Sequence, residues 1–225
     1  MIADQNQPFK VGASYTIGSH ILPGEPMTHM GEALQRRVAL NITTCDKIIE
    51  GVKCQQFDLG LIETPLFDEK LNYQEWMEDE LVICSKMPIP PIVSQKEIQN
   101  YRLIARKEDS LTRLVISKFL AQEGLSYQSF YSISEIDNAT ATIQSIKWSK
   151  PNPQHPTVAI VSQLSIEDEL KKGEFYIARL KNTPMMRTFY LIYNPQHHQA
   201  PYFPEITKIL KRCEEKILNH ALLTG

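Results

Sequence analysis

From its amino end the chain alternates short apolar runs with segments whose apolar residues recur at helical spacing. Phe9 to Ser14 reads as an apolar strand, and Thr16 to Gln35 has helical spacing interrupted by Pro23 and Pro26. Arg37 to Thr43 predicts a second strand. Asp46 to Cys54 predicts a short amphipathic helix with Ile48, Ile49 and Val52 on one face, and FDLGLIE, residues 57–63, a third strand. Parallel neighbours need crossover connections, so this alternation predicts a parallel sheet with helices packed on both faces.

Leu81 to Ser85 predicts another apolar strand, and the breakers MPIPP that follow place a domain crossing near Ser85 to Pro91. A second round of alternation begins there, with strands at Arg102 to Ala105 and Tyr127 to Ser134 and helices at Leu111 to Glu123 and Glu135 to Ile146. After the turn-rich stretch Ser149 to Pro156 come the buried-type strand TVAIV, a helix from Ile166 to Lys172 ended by Gly173, and a strand from Phe175 to Leu180. Met185 to Tyr193 predicts a strand. Phe203 to Leu223 predicts a terminal helix with Ile206, Ile209, Leu210, Cys213, Ile217 and Leu218 on one side, whose natural host is the first unit. The expected fold is α/β: two Rossmann-like lobes with a ligand cleft between them. Residues 1–85 and 188–225 form lobe I and residues 86–187 form lobe II, with crossings near Cys84 to Met87 and Pro184 to Thr188.

Composition narrows the function classes. In a chain of 225 residues, 24 Lys and Arg against 26 Asp and Glu give a net charge of -2, which argues against a surface built to neutralise many phosphates. Cys45, Cys54, Cys84 and Cys213 show no CxxC spacing and read as reduced thiols. With no signal-like start and no apolar run of membrane-spanning length, a cytoplasmic protein without membrane contact is expected. No cofactor or metal is predicted, because His197 and His198 are adjacent and lack a third ligand in register. Neither a GxSxG elbow nor a phosphate-loop motif is present, so no enzyme is expected.

Three stretches, FKVGASYTIGSHILP at 9–23, CQQFDLGLIETP at 54–65 and DSLTR at 109–113, resemble the effector-binding region of LysR-type transcriptional regulators, over nearly the whole chain. The resemblance implies the two-lobed fold of type 2 periplasmic binding proteins and a small-molecule sensor acting through homodimers or tetramers. It also implies that DNA is read by an N-terminal winged helix-turn-helix, which this chain is expected to lack.

In open α/β sheets ligands bind beyond the carboxyl ends of the strands, where backbone N–H groups point outward. Ser14 and Thr16 follow the first strand, Thr44 and Cys45 the second, and Glu63 the third. In the second lobe Ser110 and Thr112 open a helix with Arg113 in its first turn, offering hydroxyls, a helix dipole and a guanidinium to an acid. These residues are the expected contacts of a small anionic effector, with Arg113 the first choice for charge pairing. The competing reading of the hydroxyls is helix N-capping. Competing readings of the chain are a solute-binding protein, an enzyme on the same scaffold, as in amino-acid dehydratases and tetrapyrrole-forming deaminases, or a thiol-based sensor at Cys45.

Overall fold

The computed structural model describes residues 7–64, 66–108, 110–196 and 202–223, with side chains described to residue 218 of the last helix. Asp109, His197 and His198 lie outside the described residues. The chain divides into two compact units, Met1–Glu78 with Thr188–Gly225, and Asp79–Arg187. The boundaries fall inside strands, so the first crossing lies upstream of the breaker cluster from which the sequence places it.

In the first unit, β1 (Phe9–Ala13) lies between β2 (Val38–Ile42) and β3 (Leu59–Ile62), parallel to both. The first helix-spaced segment divides, as its prolines dictate, into a π-helical turn at Ile17–Ile21 and α1 (Glu25–Leu34), which has Pro26 in its first turn. Crossover α2 (Cys45–Lys53) buries Ile48, Ile49 and Val52, the face its spacing predicts. What holds α2 close to β1 is Phe57. A Cβ on Gly12 would stand 2.6 Å from its ring and one on Gly51 2.4 Å, so only glycine fits at either place. β10 (Met185–Tyr193) closes the sheet antiparallel to β3, and α7 (Phe203–Leu223) returns to this unit and packs on α1.

The second unit is built around the part of β4 (Asn72–Ser85) that follows Glu78; the strand starts nine residues earlier than its sequence predicts, because polar residues fill its exposed positions there. The carboxyl half of β4 pairs antiparallel with β8 (Thr157–Ser162) on one side and β9 (Tyr176–Leu180) on the other. The short β5 (Ile92–Val93) joins β9, while β6 (Arg102–Arg106) and β7 (Ser132–Ile136) extend the sheet beyond β8 in parallel. Period-two alternation sorts this sheet into two cores. Leu81, Ile83, Val158 and Ile160 face Ile98 of α3 (Gln95–Ile98) and Ile116 and Leu120 of α4 (Leu111–Gln122). Val82, Cys84, Ala159 and Val161 face Ile143 and Ile146 of α5 (Ala139–Lys147) and Ile166, just before α6 (Glu167–Lys171).

Two boundaries here differ from the sequence reading for a local reason. α5 begins at Ala139 rather than Glu135 because the Asn138 side chain caps it, accepting the Ala141 N–H at 3.0 Å. Residues Tyr127–Ser129, expected as strand, form a 3-10 turn closed by the Ser126 and Ser129 side chains, and β7 starts after it.

Candidate functional site

The carboxyl ends of β1, β2 and β3 come together as adjacent strand ends. The Ser14 N–H donates to the Leu61 carbonyl at 3.0 Å and the Thr43 N–H to the Ala13 carbonyl at 3.0 Å. Ser14, Thr16, Thr44, Cys45 and Glu63 therefore follow the ends of three adjacent strands, each within three residues of the strand it follows. Ser14, at 3% exposure, is buried, and its Oγ has no hydrogen-bond partner. Thr44 is the N-cap residue of α2 by backbone geometry, at φ -78° and ψ 153°, yet its side chain makes no cap bond, and its buried Oγ1 also lacks a partner. N-capping thus accounts for neither hydroxyl. A buried hydroxyl left unpaired costs about 1–3 kcal/mol, so a pair of them at one end of a sheet points to something that completes them.

Thr16 and Glu63 are joined directly. The Thr16 N–H, at the start of the π-helical turn, donates to Glu63 Oε1 at 2.6 Å, and both residues are buried. Cys45 is buried as the first residue of α2. The other thiols are held protonated. Burial pushes Cys84 up to about 12 and Cys213 up to about 11, and the hydrogen bond to Glu50 raises Cys54.

The second unit gives a different picture. Ser110 is an ordinary cap: its Oγ accepts the Arg113 N–H at 3.1 Å. Thr112, in the first turn of α4, is half-buried. The Arg113 guanidinium is engaged within its own unit. It pairs with the Glu135 carboxylate, donates to the Arg106 carbonyl at 2.9 Å and lies 4.4 Å from the Tyr127 ring centroid. The structure therefore gathers the first-unit residues around two unpaired hydroxyls, and gives Ser110 and Arg113 structural partners.

One buried cluster went unread in the sequence. Asp79 accepts from Arg187 Nε at 2.7 Å and from Ser162 Oγ at 2.6 Å, with all three residues buried. Asp79 follows Met77 and precedes Leu81 on the inward face of β4, and Arg187 stands between Met185 and Phe189 on that of β10. A charge at an inward position of each strand was the signal. A groove of about 350 Å³ beside α7, floored by Trp76, Leu191 and Leu210, contains none of the predicted contacts. Among the described residues no His, Cys, Asp and Glu cluster is arranged to hold a metal ion, and no helix is long and apolar enough to cross a membrane.

These strand ends and crossover helices define an α/β protein of the type 2 periplasmic-binding-protein-like class, as comparison with solved structures shows. The effector-binding domain of QuiR in complex with shikimate superposes with a TM-score of 0.71 at 17% identity, over 94% of this chain and 98% of that one. The regulatory domain of CcmR from Synechocystis PCC6803 in complex with 2-PG gives 0.72 at 17% identity, over 93% and 98%. The chain belongs to the LysR substrate binding domain family, whose description matches residues 3–212. It is 28% identical to the HTH-type transcriptional regulator CysL of Bacillus subtilis over 83% of its own length and 60% of that protein's. It is 24% identical to the HTH-type regulator YeiE of Escherichia coli over 88% of its own length and 66% of that protein's. It thus spans less than two thirds of either relative.

Proposed function

We propose that this chain is the effector-sensing part of a cytoplasmic LysR-type transcriptional regulator and binds a small anionic metabolite at the strand ends of its first unit. The observation that carries the reading is the pair of buried, unpartnered hydroxyls, Ser14 Oγ and Thr44 Oγ1, beside the uncapped start of α2. An acidic group there receives hydroxyl hydrogen bonds and the positive end of the helix dipole, without either hydroxyl having to leave an existing partner. Thr16, Cys45 and Glu63 complete that end, and within the second unit by itself Ser110, Thr112 and Arg113 remain proposed effector contacts. Because Arg113 already faces Glu135, it ranks below Ser14 and Thr44.

The relatives are named as HTH-type regulators and two structural neighbours were solved with small molecules, which supports a sensor whose output is transcription. In this reading the protein acts as a homodimer or tetramer, and DNA is read by a helix-turn-helix of the kind those names carry. Ligand binding favours one arrangement of the assembly over another.

A thermal-shift screen of small carboxylates, hydroxy acids, amino acids and inorganic anions tests the site, because a ligand that binds only the folded state raises the melting temperature. The expected result is a rise with at least one acid that Ser14→Ala and Thr44→Val each reduce. A panel without any shift, or a shift that neither substitution alters, overturns the reading.

A further inference from the structure

The first-unit site carries an acid of its own. Glu63 follows β3, is buried, and holds the Thr16 N–H at 2.6 Å, so the start of the π-helical turn already has an anion from within the chain. Two residues before Thr16 stands Ser14, buried at 3% exposure with its Oγ unpartnered. Two residues past the end of the neighbouring β2 stands Thr44, also unpartnered, at the start of the nine-residue α2, which no side chain caps. The site is therefore electrostatically divided, with a carboxylate on the β3 side and an open helix start on the β2 side.

From this division, and resting on the reading above, we infer that Glu63 is a specificity residue and that the effector is a hydroxy acid or an amino acid rather than a plain acid or a fully deprotonated oxyanion such as sulfate. A negative group close to Glu63 is repelled, and the N–H it would use there is taken. The effector's acidic group belongs at the start of α2, against Thr44 and the first-turn N–H groups. The part of the effector facing Glu63 has to be a donor, a hydroxyl or an ammonium group, because a carboxylate is an acceptor only, while the Ser14 hydroxyl can donate to the acidic group. A sulfate presents acceptor oxygens toward both sides and meets Glu63 whichever way it turns, whereas a phosphate keeps a P–OH donor at neutral pH.

The experiment is isothermal titration of the folded chain with matched acids of one carbon skeleton, namely the unsubstituted acid, its 2-hydroxy acid and its 2-amino acid, alongside inorganic sulfate. The same set is repeated on Glu63→Gln. Glutamine keeps a side-chain carbonyl to accept the Thr16 N–H, so the turn retains its anchor while the charge is removed.

The expected result is that the hydroxy or amino member binds wild type roughly tenfold or more tighter than its unsubstituted parent, the effect of one hydrogen bond to a charged group. Sulfate binds weakly. Glu63→Gln narrows the preference and strengthens sulfate. Equal binding of all matched acids to wild type, or a preference that Glu63→Gln leaves intact, overturns the role of Glu63. If those acids still depend on Ser14 and Thr44, the site itself stands. If no acid binds, the site reading fails and this inference with it. The wild-type comparison decides the matter by itself should Glu63→Gln not fold.

Discussion

At the scale of single residues, three hydroxyls that look alike in the sequence separate into two kinds. Ser14, Thr44 and Ser110 each stand where a strand or loop enters a helix, and in the sequence each reads equally as a cap or a contact. Ser110 takes the Arg113 N–H, whereas Ser14 and Thr44 take nothing. Ser110→Ala is therefore expected to lower the unfolding free energy by about 1 kcal/mol, the usual worth of a cap. Ser14→Ala removes an unsatisfied buried hydroxyl and is expected to raise it by about 1 kcal/mol in the ligand-free protein, at the expense of acid binding. Urea unfolding of the two variants in parallel measures the contrast. A loss of similar size in both means that Ser14 is structural. This difference was not legible in the sequence, because it depends on which partner the fold brings within reach.

At the scale of elements, the strands and helices were largely readable, and where they were not the reason is local. Leu81 to Ser85 announces itself by apolar content, but the preceding half of β4 carries exposed Gln74, Glu75 and Glu78, which break the apolar alternation and hide its inward positions. Those inward positions hold the Asp79 half of the buried pair with Arg187, on the two strands that pass from one unit into the other. Breaking a buried ion pair from one side leaves the other charge desolvated and alone, whereas replacing both with apolar groups removes the desolvation penalty together with the attraction. Asp79→Leu and Arg187→Met are each expected to cost about 3–5 kcal/mol, and the double replacement Asp79→Leu with Arg187→Met to recover most of that loss. Unfolding measured around this cycle checks it. Additive losses in the double variant mean that each residue acts through separate partners.

At the scale of the whole molecule, both units bury groups that ionise only in strong alkali, and this fixes how stability responds to base. Burial raises Cys84 and Tyr101 of the second unit to about 12, from ordinary values of 9.0 and 10.0. In the first unit it raises Tyr202 to about 12 and Cys213 to about 11. Each group releases its proton more readily in the unfolded chain than in the folded one. Below pH 9.0 both states are protonated at Cys84 and the group is neutral to stability, while between 9.0 and about 12 the folded state holds a proton that the unfolded state has lost. The unfolding free energy therefore falls as pH rises through that window, by about 1.4 kcal/mol per pH unit for each proton so retained. Cys84, fully buried beside Ala159 of β8, is the cleanest contributor. Cys84→Ala costs packing at every pH, so the quantity to compare is the slope. Urea unfolding across the window is expected to give a shallower alkaline fall for Cys84→Ala than for the parent, by about one proton, together with slow alkylation of the parent thiol while the fold is intact. Parallel slopes, or rapid alkylation of Cys84 in the folded protein, would place that thiol in contact with water and contradict the two-faced core from which its burial follows.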